Sequence, residues 1–139
     1  MDNWATKQLS HEGFPLFLRW PSYKSLPATK SDYPTLVVIT HEFTHRLPNG
    51  LPEPDYNDGL MEIDLEIQNL FEAKIFGFPV LIETFAGKRH YYFYTNQATD
   101  VANYLSIISD KYPKEKLSSR IRNDPDWNFY NNYSKQYLH

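Results

Sequence analysis

The sequence contains no cysteine, which excludes disulfides, thiolate metal ligands and a cysteine nucleophile together. It has no run of about 18 apolar residues, so no segment is long and apolar enough to cross a bilayer as a helix. Glycine is scarce, five residues against ten prolines, too few for a fibrous or Gly-rich low-complexity chain. Neither sign of charge dominates. The 14 basic and 17 acidic side chains leave a formal net charge of −3, which argues against a general nucleic-acid binder. Met1-Asp2-Asn3-Trp4 has neither the basic start nor the apolar stretch of a signal peptide, so a cytoplasmic location is expected. No Gly-rich phosphate loop and no Ser-His-Asp arrangement can be assembled from local spacing, and no cofactor is expected.

What the chain has in abundance is aromatic side chains, 17% of its 139 residues. Its length predicts one domain over 1–139. Apolar runs at Trp4–Gln8 and Phe14–Trp20 flank Ser10-His11-Glu12-Gly13 and predict an N-terminal hairpin extension over 1–20. The Pro-containing stretch 21–34 reads as a connecting loop. Thr35–Phe43 is a β-branched run and the clearest strand, and Pro48-Asn49-Gly50-Leu51-Pro52 breaks the chain after it. A helix capped by Asp55 follows, with Leu60, Ile63, Ile67, Leu70 and Phe71 at helical spacing and Gly77 as its stop. Phe78–Phe85 and Arg89–Thr95 form a hairpin around Ala86-Gly87-Lys88. Thr99 or Asp100 opens a second helix with a Val101, Ala102, Leu105, Ile108 stripe, closed by Pro113. Leu117–Arg122 alternates as a last strand, and Asp124-Pro125-Asp126-Trp127 turns into a short helical tail over 124–139. Trp127 is expected to anchor that tail. From residue 35 to 123 the order is strand, helix, strand, strand, helix, strand. This is an α+β ferredoxin-like βαββαβ sandwich with an added N-terminal β-hairpin and a C-terminal helical tail.

A two-residue Gly87-Lys88 turn would pair Thr84 with Tyr91, Ile82 with Phe93 and Val80 with Thr95 under the helices. The other face would then carry Glu42, Leu81, Glu83, His90, Tyr92 and Tyr94. This aromatic face is open to three readings: stacking of single-stranded nucleic acid, cover by a second copy or by the chain's own hairpin or tail, and a small-ligand pocket. Two carboxylates on it disfavour phosphate. Charge is also segregated: seven acids and no base lie between Leu47 and Ala73, and five bases against one Glu between Lys111 and Arg122. A first helix carrying Glu62 and Glu66 would suit a basic protein partner. Together these features point to a non-catalytic protein-binding or regulatory domain that uses Glu42, Glu62, Glu66, Leu81, Glu83, His90, Tyr92 and Tyr94. A homodimer through the open face would use the same surface. The competing reading is a small hydrolase with Glu42, Glu83 and His90 as its acid–base set.

His41-Glu42-Phe43-Thr44-His45 spells the H-E-x-x-H zinc-protease motif. That motif needs a helix to bring both histidines to one metal. Here it ends a strand-forming run, where the two Cα atoms would lie roughly 13 Å apart at about 3.3 Å per residue. Glu62 or Glu66 would supply a third ligand by spacing, but the strand separates the first two.

With these residues in view, the chain resembles the uncharacterised bacterial family known as domain of unknown function 695. The resemblance rests on Asn49-Gly50-Leu51-Pro52 after a strand, the acidic helix from Glu62 to Glu66, Glu83-Thr84-Phe85-Ala86-Gly87-Lys88-Arg89 leading into Tyr92-Phe93-Tyr94-Thr95, and Asp124-Pro125-Asp126-Trp127. It implies an α+β sandwich, sometimes found beside a domain similar to regulators of ribonuclease E. It brings no activity, cofactor or catalytic residue. Members generally lack His at the positions of His41 and His45.

Purified protein is expected to hold no stoichiometric zinc by atomic absorption, and Glu42→Gln to leave peptidase activity at background. One zinc per chain ligated by His41 and His45 would overturn the strand over 35–43.

Overall fold

The computed structural model describes residues 3–22, 30–70, 77–96 and 100–138. In chain order these form β1 (Asn3–His11), β2 (Phe14–Ser22), a 3-10 turn (Lys30–Asp32), β3 (Thr35–Glu42), α1 (Pro54–Asp58), α2 (Leu60–Asn69), β4 (Gly77–Phe85), β5 (Lys88–Thr95), α3 (Val101–Lys111), β6 (Lys116–Asn123) and α4 (Asn128–Tyr137). The fold is α+β. One antiparallel sheet of six strands runs β1-β2-β4-β5-β3-β6. The expected Phe71 and Thr99, and most of the 21–34 loop, lie outside the described residues.

Both hairpins turn in two residues with positive φ at each: Glu12 and Gly13 at 52° and 83°, Ala86 and Gly87 at 53° and 86°. Such turns match the twist of the strands they join. The second turn is therefore Ala86-Gly87, not Gly87-Lys88, and Phe85 pairs with Lys88, Glu83 with His90, and Ile82 with Tyr91. The correction slides the register by two residues, so the residues from Leu81 onward keep their faces. Val80 does not. A bulge between Pro79 and Leu81, beside a proline with no N–H to give the ladder, moves Val80 from its expected place beside Thr95 to the opposite face.

The first helix is corrected as well. Pro54 takes the first helical position, where its missing N–H costs nothing; Glu53 occupies the cap position without a side-chain cap bond, and Asp55 sits in the first turn. Gly59 divides the segment into α1 and α2.

The centre of the sheet is buried on both faces. On one, α2 and α3 pack Ile63, Ile67, Val101, Leu105 and Ile108 onto Val37, Ile39, Ile82, Tyr91 and Phe93. On the other, α4 covers Leu16, Leu18, Leu36, Val80, Leu81 and Tyr94. The expected open face is thus occupied by the chain's own tail. Trp127 is fully buried there, stacked on Tyr94 at 4.2 Å and 10°, and its Nε1–H donates to the Tyr33 carbonyl at 3.0 Å.

Trp127→Ala should destabilise the domain by about 3–5 kcal/mol, the usual cost of emptying a buried aromatic site. Urea denaturation of the variant checks this; a change within about 0.5 kcal/mol would mean the tail does not depend on its anchor.

Candidate functional site

The helix layer rests on β3, β4 and β5, whereas the sheet also includes the β1–β2 hairpin. Beside the hairpin on that face lies a groove, with a central cavity of about 710 Å³. Thr6, Gln8, Phe17, Arg19, Ile82, Thr84 and Arg89 form its floor, and Leu47, Leu51, Pro52, Pro54 and Asn57 its wall. Arg19, Asn57 and Arg89 also line the next cavity, which runs along Met61, Asp64 and Leu65 toward Trp4. Leu47 is shared with a third, bounded by Phe14, Arg46 and Gly50. The first two, with three lining residues in common, make up the groove.

The wall is held by backbone bonds rather than by regular structure. Phe43 N–H donates to Gly87 O at 2.9 Å, Leu47 N–H to Leu51 O at 2.7 Å, and Glu53 N–H to His45 O at 3.1 Å. Asn49 Oδ1 accepts from Leu51 N–H. Gly50 has φ +87°, and a Cβ there would come within 2.7 Å of Ala86 Cα. Only glycine lets the Asn49-Gly50-Leu51-Pro52 loop press against the β4–β5 turn. Two stretches far apart in sequence thereby become one piece of wall.

At the groove floor Asp64 gathers four donors. Its Oδ1 accepts from Tyr91 OH at 2.7 Å and Arg19 Nη2 at 2.9 Å, with Arg89 Nη1 further off at 3.5 Å; its Oδ2 accepts from Gln68 at 2.6 Å. Arg89 also donates through Nε to Thr84 Oγ1 at 2.9 Å and lies 5.4 Å from the Phe43 ring. Burial beside the Asp64 carboxylate pushes the Tyr91 hydroxyl far above its usual range, so it remains a donor.

The residues singled out from the sequence are scattered around this groove rather than gathered in it. Leu81 and Tyr94 are buried in the α4 core. Tyr92 stacks on Phe129 at 4.5 Å, Glu83 accepts from Tyr133 OH at 2.5 Å, and His90 Nδ1 lies 2.9 Å from Thr40 Oγ1. Glu42 is half-buried, flanked across the strands by Lys88 and Lys116. Glu62 is exposed on α2, while Glu66 pairs with Lys111 of α3 at 2.6 Å.

The H-E-x-x-H residues diverge. His41 is buried toward α1 and the β6 entry, its Nε2 lying 3.3 Å from Glu115 Oε1. Tyr56 OH donates to the same carboxylate oxygen, and Thr44 Oγ1 to its Oε2 at 3.3 Å. His45 is exposed against the Tyr56 ring. Among the described residues no three His, Asp or Glu side chains are grouped to hold a metal.

Sequence reasoning missed Arg19, Arg89 and Asp64. A signal for Asp64 was present, since position 64 falls on the same helical stripe as Leu60, Ile63 and Ile67. A carboxylate on a buried stripe needs donors opposite it. Arg19 is likewise the single charge in the alternating Phe14–Ser22 strand.

The sequence profile of a family of unknown function, DUF695, matches residues 2–134. The chain belongs to that family. No curated protein and no solved structure matches it. In this DUF695 chain the motifs of the resemblance have structural roles: the Asn49–Pro52 loop and the Ala86-Gly87 turn support one another, and the Asp124–Trp127 turn docks α4. No helix among the described residues is long and apolar enough to cross a membrane.

Burial lowers the His41 pKa below 6.5 against the opposing pull of Glu115, and burial does the same to His90. The unfolded chain therefore takes up these protons first as pH falls, and stability should drop below about pH 6.5 and be fully present above it. Urea melts at pH 7.5 and 5.5 should show this fall. His41→Gln should make it shallower; an unchanged slope would remove His41 as a cause.

Proposed function

We propose that this chain is a non-catalytic binding domain whose binding site is the groove beside the β1–β2 hairpin, and that its occupant is a segment of a partner protein. One observation carries the reading. Among the described residues six large apolar side chains are exposed, and three of them, Leu47, Met61 and Leu65, line the two adjoining cavities of this groove. Scattered exposed apolar residues are ordinary; apolar residues collected around a concave site mark recognition. The exposed acids Glu53, Asp55, Asp58 and Glu62 on and beside α1 and α2 offer the rim of the site to basic flanks of the partner.

The groups a hydrolase would use support the same reading from the other side. Glu42, Glu83 and His90 lie on the α4 face, away from the groove, and Glu83 and His90 are already engaged by Tyr133 and Thr40. The aromatic face, occupied by α4, contributes stability rather than the main contact. We read β3 to β6 with α2 and α3 as a ferredoxin-like unit: the order β4-β5-β3-β6 places each helix-linked strand pair one strand apart, and β1–β2 extends it at β4. A cytoplasmic partner fits a cysteine-free chain.

A photo-crosslinking residue placed at Leu47 should capture a partner from lysate that the same residue at Ile107, exposed on α3 away from the groove, does not. With the crosslinking residue kept at position 47, Met61→Glu with Leu65→Asp, both exposed in the adjoining cavity, should abolish that capture while changing stability by no more than about 0.5 kcal/mol each. Equal capture from both positions would reject the groove as the site.

A further inference from the structure

We infer that the groove recognises a carboxylate carried on an apolar body, such as an acidic side chain set among aliphatic ones; this rests on the groove being the binding site and names the chemistry it selects. The argument begins with a charge imbalance. Two guanidiniums, Arg19 and Arg89, face one carboxylate, Asp64. Lys7 also borders the central cavity, but its Nζ reaches Tyr137 O on the α4 face, so it does not alter the count. The floor thus holds one positive charge in excess. The Arg89 side chain is 15% exposed and that of Asp64 11%, so water screens this excess poorly.

Guanidinium does not release its proton at any ordinary pH, so the imbalance cannot be relieved by titration. It is relieved by an incoming anion. Asp64 lies 2.9 Å from Arg19 but 3.5 Å from Arg89, and already accepts from Tyr91 and Gln68 as well. Arg89 therefore has the longer ion pair, its other partners being the neutral Thr84 hydroxyl and the Phe43 ring, while Arg19, at 36% side-chain exposure, can reach an anion from the open side. One excess charge matches a carboxylate better than a phosphate dianion. Planar, forked donors suit a carboxylate's two oxygens. The apolar requirement comes from Phe17, Leu47, Leu51 and Pro52, which border the same cavity.

The occupant is an acidic residue of the partner segment; a free amphiphilic carboxylate would offer the same chemistry, and a probe series separates the two. Octanoate, octanol and octyl phosphate share one tail and differ in head group. Acetyl-Leu-Glu-Leu-Val-amide and its Gln analogue share one backbone and differ in a single charge. Binding is followed on the full chain by NMR shifts of the Leu47 and Leu51 amides and the Arg19 and Arg89 side chains. Octanoate should bind about tenfold more tightly than octanol, and the Glu peptide about tenfold more tightly than the Gln peptide. Arg19→Met, which keeps the length and removes the charge, should bring both ratios close to one without weakening octanol.

A peptide ratio well above the octanoate ratio supports an acidic residue of a chain segment; the reverse would assign the site to a free amphiphile and overturn the partner segment as its occupant. Octanoate and octanol binding equally would overturn carboxylate recognition while leaving the groove reading intact. Tighter binding of octyl phosphate than octanoate would also overturn it. Failure of all five probes to shift the groove resonances would overturn both readings.

Discussion

The carboxylate of Asp124 holds together the half of the molecule that the helix layer does not reach. It accepts from Tyr94 OH at 2.6 Å and from the backbone N–H groups of Asn128 and Phe129 at 3.0 and 3.1 Å. One side chain thereby ties the C-terminal end of β5 to the first turn of α4 and satisfies two of that helix's orphan donors. Burial raises its pKa, yet the bonds from Tyr94, Phe129 and Asn128 outweigh burial and leave it below the ordinary value. The ionised form is the one that these donors stabilise. With α4 fixed, Trp127 takes a left-handed backbone conformation at φ 57° and seats over Tyr94. Phe129 and Tyr133 then follow onto Tyr92 and Glu83. Without that tie the aromatic face of the sheet would be left in water.

The central sheet is thus covered twice, by different means. Two amphipathic helices inserted between strands cover one face through aliphatic packing. A single polar-aromatic helix, added after the last strand, covers the other through rings and hydroxyls. The second cover extends to Leu16 and Leu18 of β2, so the hairpin is stitched to the domain from the α4 side. On the helix-layer side it is not fully covered, because α2 and α3 pack on β3, β4 and β5. The groove is the geometric remainder: a six-stranded sheet under a helix layer of narrower reach.

Electrostatics then gives that remainder its character. Asp64 anchors α2 to the sheet through Tyr91 and the two arginines, a structural task that consumes the one carboxylate that lines the groove among the described residues. The same arrangement leaves a cation incompletely matched next to exposed leucines and a methionine. The fixing of α2 and the recognition chemistry proposed for the groove therefore share residues.

Much of the architecture was legible in the chain. The strand run Thr35–Phe43, the helical stripe Leu60-Ile63-Ile67, the presence of both hairpins and the α+β class follow from local periodicity and turn chemistry. The inside–outside alternation survived a two-residue register error because strand faces repeat every two residues. The misplacing of Val80 shows where that reasoning stops: a bulge is settled by how Pro79 packs against the neighbouring strand. The candidate site was less legible, because it joins Arg19 of β2, Asp64 of α2, Arg89 of β5 and the Leu47–Pro52 wall, which no sequence spacing relates. The H-E-x-x-H letters show the converse, with five adjacent residues sent to a core, a sheet surface and a loop. Sequence by itself determined which segments become strands and helices, since that depends on each residue's neighbours along the chain. Only the tertiary structure decided which charges meet and which face stays open, since those depend on how far the helices reach across the sheet.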